Sequence, residues 1–130
     1  MALLDSTIII DFLKNKPNAV KAIEQLLSHG EKLKTTVFNY YEIYFGELAF
    51  GKKQATPQVL AFLETLEIIF PSVASMQKSA EIRLELQKKG RTVGTNDLYI
   101  AGIAITANET LFTQNLKDFE QISGLKAQGY

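Results

Sequence analysis

An α/β sandwich on a short, mainly parallel sheet is the fold this 130-residue sequence predicts. Three observations predict it. Apolar segments of only three or four residues alternate with longer segments whose apolar residues recur at helical spacing. Glycine, proline and Ser/Thr/Asn caps punctuate nearly every change of segment. Single carboxylates stand at segment edges, and in such folds ligands gather beyond the carboxyl ends of the strands.

Ala2–Leu4 reads as a buried strand. Ser6 or Thr7 is placed to cap a helix through Leu13, which Lys14-Asn15-Lys16-Pro17 ends. Asn18 is the expected cap of a second helix with Val20, Ile23, Leu26 and Leu27 on one face, closed by His29-Gly30. A strand over 33–35 follows. Thr36 then caps a helix to about Phe50, broken by Gly51-Lys52-Lys53. Thr56-Pro57 opens a helix carrying Val59, Leu60, Phe62, Leu63 and Leu66. Residues 67–70 read as a strand stopped by Pro71. Ser72 caps a long helix to Lys89, ended by Gly90. Thr95 or Asn96 caps an apolar helix through Ala107. A strand over 110–113, a helical turn over 116–120 and an edge strand over 126–128 complete the chain. With no repeat, linker or low-complexity tract, the expectation is one domain over residues 1–130.

Length and composition fit that reading. A chain of this size buries roughly two-thirds of its unfolded surface. No apolar run approaches the roughly 20 residues of a membrane span and no signal peptide precedes Asp5, so a cytoplasmic protein without membrane contact is expected. Zero formal net charge argues against a strong, nonspecific nucleic-acid binder. It leaves room for an acidic site with a local basic rim. Absence of cysteine removes disulfides and thiolate chemistry.

The carboxylates are more informative. Asp5 ends the first strand, Glu42 interrupts the aromatic stretch 37–45, and Asp97 opens the uncharged stretch 98–105. An ionised carboxylate beside a dry core costs several kcal/mol unless compensated. Three of them, with Asn115 and Asp118 beyond the fourth strand, point to one acidic pocket of the kind that holds Mg²⁺ or Mn²⁺. Each also has a plain structural reading. Asp5 can be an N-cap, Asp97 a first-turn charge on a helix dipole, Asn115 and Asp118 turn residues. Glu42 is harder to explain away, since its helical neighbours Phe38, Phe45, Gly46 and Ala49 are apolar. The remaining acids, Asp11 and Glu109 among them, read as solvated faces or caps. His29, the single histidine, reads as a helix C-terminal partner. A His/Cys zinc site, a serine or cysteine nucleophile and a glycine-rich phosphate loop all lack their residues. Hard-metal, carboxylate-based phosphoryl transfer to water is left.

Four segments also carry a family resemblance. Leu3-Leu4-Asp5-Ser6-Thr7-Ile8-Ile9-Ile10-Asp11-Phe12-Leu13 resembles the opening of PIN-domain nucleases. Thr36-Val37-Phe38-Asn39-Tyr40-Tyr41-Glu42-Ile43-Tyr44-Phe45-Gly46 is similar to their second motif, and Gly90-Arg91-Thr92-Val93-Gly94-Thr95-Asn96-Asp97-Leu98-Tyr99-Ile100-Ala101 to their third. Thr113-Gln114-Asn115-Leu116-Lys117-Asp118-Phe119 resembles the fourth. The ordered set spans the chain, and within the family it most resembles the VapC-type toxins of toxin–antitoxin pairs.

The resemblance implies a PIN-like three-layer sandwich and a Mg²⁺- or Mn²⁺-dependent endoribonuclease. Asp5, Glu42 and Asp97 would hold the metal, with Asn115 or Asp118 completing the catalytic site. Ser6 or Thr7 would hydrogen-bond a ligating carboxylate, and Arg91, Lys88 and Lys89 would contact RNA. It also implies a homodimer silenced by a small antitoxin. An apolar surplus at Phe45, Leu48, Phe50, Val59, Phe62 and Leu63 is the matching surface signal. Two departures stand out. Asn115 occupies a position that is often aspartate, and Gly102 replaces the commoner alanine at a helix-interior cost of up to about 1 kcal/mol unless close packing requires it. Two other classes remain. One is a non-catalytic binding module on the same fold. The other is a phosphoaspartate receiver or phosphatase, which wants a second acid where Thr7 stands.

Overall fold

The computed structural model describes residues 2–51 and 56–130; the expected break at Lys52-Lys53 lies outside them. Its elements run β1 (Ala2–Leu4), α1 (Ser6–Leu13), α2 (Pro17–Ser28), β2 (Leu33–Thr36), α3 (Val37–Ala49) and α4 (Pro57–Glu64). They continue as β3 (Glu67–Ile69), α5 (Val73–Lys88), α6 (Thr95–Thr106), β4 (Thr110–Phe112), α7 (Leu116–Phe119) and β5 (Ala127–Gln128). The strands form one sheet in the order β3-β2-β1-β4-β5, and each pairing is parallel. The chain first builds outward from β1 through β2 to β3, then crosses to β4 on the other side. The strand order therefore reverses at β1.

Strand alternation makes the three layers. Ala2 and Leu4 face one side, packed with Ile8 and Ile9 of α1, Ile23 of α2, Ile43 of α3 and Leu63 of α4. Leu3 faces the other, with Leu111, Ile82 and Leu86 of α5 and Ile100, Ala101 and Ala104 of α6. A parallel sheet covered on both faces explains why the central strand β1 reads as an unbroken apolar run.

Thr36 and Ser72 cap α3 and α5 as expected, each closing a capping box with the residue three positions on. Three other starts differ from expectation. Helix α1 begins at Ser6 with Asp5 in the cap position, because Asp5 ends β1 and the chain turns there at once. Helix α2 begins at Pro17, so Lys16 precedes it and Asn18 lies inside; proline's fixed φ sets the start. Helix α6 starts at Thr95 after Gly94, with no side-chain cap from Thr95 or Asn96.

Burial divides the apolar surplus. Phe45, Leu48 and Phe50 are exposed, together with Tyr41. Leu63 is buried, and Val59 and Phe62 pack against the same core, Phe62 with its ring 4.7 Å from that of Phe12. Glu109 is not solvated either. It is buried just before β4, where Lys34 of β2 donates to Oε1 at 2.6 Å. Asp11 is half-buried, accepting from the Tyr130 hydroxyl at 2.7 Å and paired with Lys16 at 3.2 Å. Among the described residues, no helix is long and apolar enough to cross a membrane.

Candidate active site

Asp5 sits at the carboxyl end of β1, where the strand order reverses. That is the position at which parallel sheets open a crevice. Its backbone N–H donates to the Phe112 carbonyl at 3.0 Å, and its side chain makes no cap bond to α1. Instead the carboxylate is held from three sides. Asn39 Nδ2 donates to Oδ1 at 2.8 Å. Thr113 Oγ1 donates to Oδ2 at 2.7 Å and Thr7 Oγ1 to the same oxygen at 3.3 Å. A carboxylate so anchored, 4% exposed, points where the backbone puts it.

Glu42 reaches the same place from α3. Ser6 Oγ donates to its Oε1 at 3.1 Å, and Ser6 in turn accepts from Asn39 Nδ2 at 3.0 Å. The Glu42 environment differs from the expected one: Phe45 and Ala49 are exposed, so burial comes from α1 across the gap rather than from its own helix. Desolvation raises its pKa, the Ser6 hydrogen bond opposes that, and the Asp5 charge adds to it. Asp97 stands in the first turn of α6, with its pKa raised to about 6 by desolvation first and then by Asp5, Glu42 and Asp118. Asp97 thus feels the charge of the other three carboxylates. Among the described residues, none of them is paired with a lysine or arginine.

Asn115 and Asp118 complete the ring. Asn115 donates from Nδ2 to Asp118 Oδ2 at 3.1 Å and, at the limit of hydrogen bonding, to Asp97 Oδ2 at 3.5 Å. Facing carboxylates, the amide must present its nitrogen, so Asn115 acts here as a donor that links two acids. Its own N–H donates to Thr113 Oγ1 at 2.9 Å.

Two partners were not singled out by the sequence reading: Asn39 and Thr113. Asn39 had a readable signal, three residues after the Thr36 cap and three before Glu42, so on one helix face with both. Its side-chain oxygen closes the capping box while its nitrogen serves Asp5 and Ser6. Of the basic residues, Lys89 pairs with Glu85 at 3.4 Å, and Lys88 and Arg91 are exposed.

The donor set is all oxygen, which fits a hard divalent cation. As the side chains stand, no three His, Cys, Asp or Glu groups among the described residues close on a single point. The acids are linked through short hydrogen-bond bridges, Ser6 and Asn39 between Glu42 and Asp5, and Asn115 between Asp97 and Asp118. Uncompensated like charge of this kind is what a divalent cation relieves. One consequence is testable without any metal. Glu42→Gln keeps the oxygen that Ser6 bonds and removes one repelling charge, so the metal-free protein should melt roughly 2–4 °C higher, about 1 kcal/mol. RNA cleavage should fall in the same variant. A lower melting temperature would make Glu42 a structural residue.

The PIN domain family matches residues 2–125, and the chain belongs to that family. It is 31% identical to ribonuclease VapC1 of Haemophilus influenzae over 98% of this chain and 96% of the relative. It is 33% identical to ribonuclease VapC2 of Rickettsia felis, over 95% and 92% of the two chains. Among solved structures, it superposes on a chain of VapBC2 from Rickettsia felis bound to a promoter DNA fragment. The TM-score is 0.86 at 30% identity, over 99% of this chain and 98% of that one.

Proposed function

We propose that this chain is a Mg²⁺- or Mn²⁺-dependent endoribonuclease, the toxin of a type II toxin–antitoxin pair acting in the cytoplasm. The observation that carries it is the hydrogen-bonded chain through Ser6, Asn39, Thr113 and Asn115 that ties Asp5, Glu42 and Asp97, from three separate segments, to the reversal point of a PIN-domain sheet. The similarity to ribonucleases VapC1 and VapC2 supports the substrate class. In this reading Asp5, Glu42 and Asp97 hold the ion. Asn39, Thr113 and Thr7 fix the direction of Asp5, and Ser6 fixes that of Glu42. Asn115 and Asp118 hold a water at the open side. When bound, the ion lowers the pKa of water and offsets charge on the scissile phosphate. The family match and the named relatives weigh against a phosphoaspartate receiver. The full set of acids weighs against a non-catalytic module.

An antitoxin and a second copy of the chain are the partners in this reading. Tyr41, Phe45 and Leu48 repeat at helical spacing on the outside of α3, with Phe50 beyond. A run of exposed apolar side chains of that kind marks an interaction surface. The likeness to the Rickettsia felis VapBC2 structure supports an antitoxin as one occupant.

The purified chain should cleave RNA with millimolar Mn²⁺ or Mg²⁺ and stop on chelation. RNA left intact with either ion would sink the reading. Metal titrations then separate the two residues at the open side. Asn115→Asp adds charge to the ring and should tighten Mn²⁺ binding. Asp118→Ala should lower cleavage about tenfold, within the range for losing a group that steadies a metal site. No change in either variant would reduce the site to Asp5, Glu42 and Asp97.

A further inference from the structure

Only two arginines occur in the sequence, Arg83 and Arg91, and both line one small cleft of about 120 Å³ with Gln87, Thr92 and Thr95. No carboxylate lines it. Among the described residues, neither guanidinium has an ion-pair partner. By contrast Lys16, Lys34 and Lys89 are each engaged with a carboxylate.

The cleft's place follows from how α5 meets α6. Ser79 of α5 donates to the Leu98 carbonyl at 2.7 Å, and a side chain at Gly102 would meet the Ser75 carbonyl. Higher numbers on α5 thus oppose lower numbers on α6, so the helices run antiparallel. The end of α5 that carries Arg83 and Gln87 lies beside the start of α6. That start holds Thr95 in the cleft and Asp97 in the acidic site, one helical turn apart or less.

We infer that Arg83 and Arg91 together grip one backbone phosphate of the RNA strand, one or more nucleotides from the cut. The inference rests on the ribonuclease reading and adds Arg83, which the sequence did not single out. Size narrows the ligand: the cleft is well below the roughly 300 Å³ at which pockets begin to enclose drug-sized ligands, so it takes one small group. Charge selects it further, since two unpaired guanidiniums with amide and hydroxyl donors match phosphate oxygens bidentately. A phosphate carries no sequence information, so this contact sets where along the strand the acids fall, not which bases are read.

The test is a salt series. Binding of a fluorescein-labelled mixed-sequence 12-mer RNA is followed by anisotropy in EDTA, for wild type, Arg83→Ala, Arg91→Ala and the double variant. Each single variant should weaken binding about tenfold and lower the slope of log Kd on log salt by about 0.7, the loss of one single-strand phosphate. The double variant should lose the same 0.7, because both side chains hold one phosphate. Arg83→Lys and Arg91→Lys should keep the slope while losing affinity, because charge is kept and the fork is lost. A double loss near 1.4 would mean two separate phosphates and overturn the clamp. Affinities and slopes equal to wild type would overturn it too, even if the same variants lost a protein partner. If wild type neither binds the RNA nor cleaves it with Mn²⁺, the ribonuclease reading itself fails, and this inference with it.

Discussion

Mn²⁺ should raise the melting temperature of the protein, and Asp97→Asn should abolish that rise and lower RNA cleavage roughly a thousandfold. That exceeds the ten- to hundredfold typical of residues that only steady a ligand. The fold should survive, because Asp97 lies in an open first turn and its loss removes repulsion from Asp5, Glu42 and Asp118. The pH dependence gives an independent readout. The Asp97 pKa is raised from 3.8 to about 6 in the folded protein. Between those values the native state binds more protons than the unfolded chain. The metal-free protein therefore gains stability as pH falls from 7 towards 5 and loses it as pH rises through 6. Asp97 is part-exposed, so solvent screening makes this gain smaller than the bare shift implies. Thermal melts at pH 5 and pH 7.5 should show the gain in wild type and a flatter profile in Asp97→Asn. With Mn²⁺ present the wild-type trend should reverse, since protons compete for the same oxygens. Identical profiles in both proteins would mean that Asp97 does not share a site with the other acids.

Gly102→Ala should destabilise the protein by about 2 kcal/mol, lowering the melting temperature by roughly 5–10 °C. In an ordinary helix interior the same change stabilises, by up to about 1 kcal/mol. Here the added Cβ would stand 2.5 Å from the Ser75 carbonyl oxygen and clash with Ser79 Oγ. The serine hydroxyl cannot simply turn away, because it donates to the carbonyls of Leu98 and Ser75. The backbone oxygen cannot yield without moving α5 off α6. Ser79→Ala in the same chain should recover only part of the loss, since the Ser75 oxygen remains. A melting temperature at or above wild type would mean that the two helices are not packed this closely. Because α6 also carries Asp97, weaker Mn²⁺ binding should accompany the loss.

Legibility in the sequence followed distance along the chain. Strand and helix extents came through to within about two residues, because caps, prolines and glycines act on their immediate neighbours. The Thr36 and Ser72 caps are of this kind. Asp5, Glu42 and Asp97 stood out because a charge at the edge of an apolar run is conspicuous wherever its partners are. What the sequence hid were pairs made by the fold. Glu109 looked solvated because Lys34, its partner, lies 75 residues away. Only the pairing of both β2 and β4 with β1 brings them together. Thr113 reads as the end of a strand until its hydroxyl is found on Asp5, across 108 residues. Leu63 looked available to a partner because periodicity gives a helix an apolar face but not what covers it.

The anchoring of Asp5 bears on how the protein is made. Its carboxylate rests on Asn39 from the middle of the chain and on Thr113 from near its other end. Synthesis from the N-terminus delivers Asp5 first and the hydroxyl that fixes it more than a hundred residues later. Until residue 113 has left the ribosome, the acids cannot be held in their final arrangement. A growing chain therefore carries an unassembled centre, and any proteolytic nick that frees β4 returns it to that state. The arrangement that holds Asp5 is therefore completed only when residue 113 takes its place beside it.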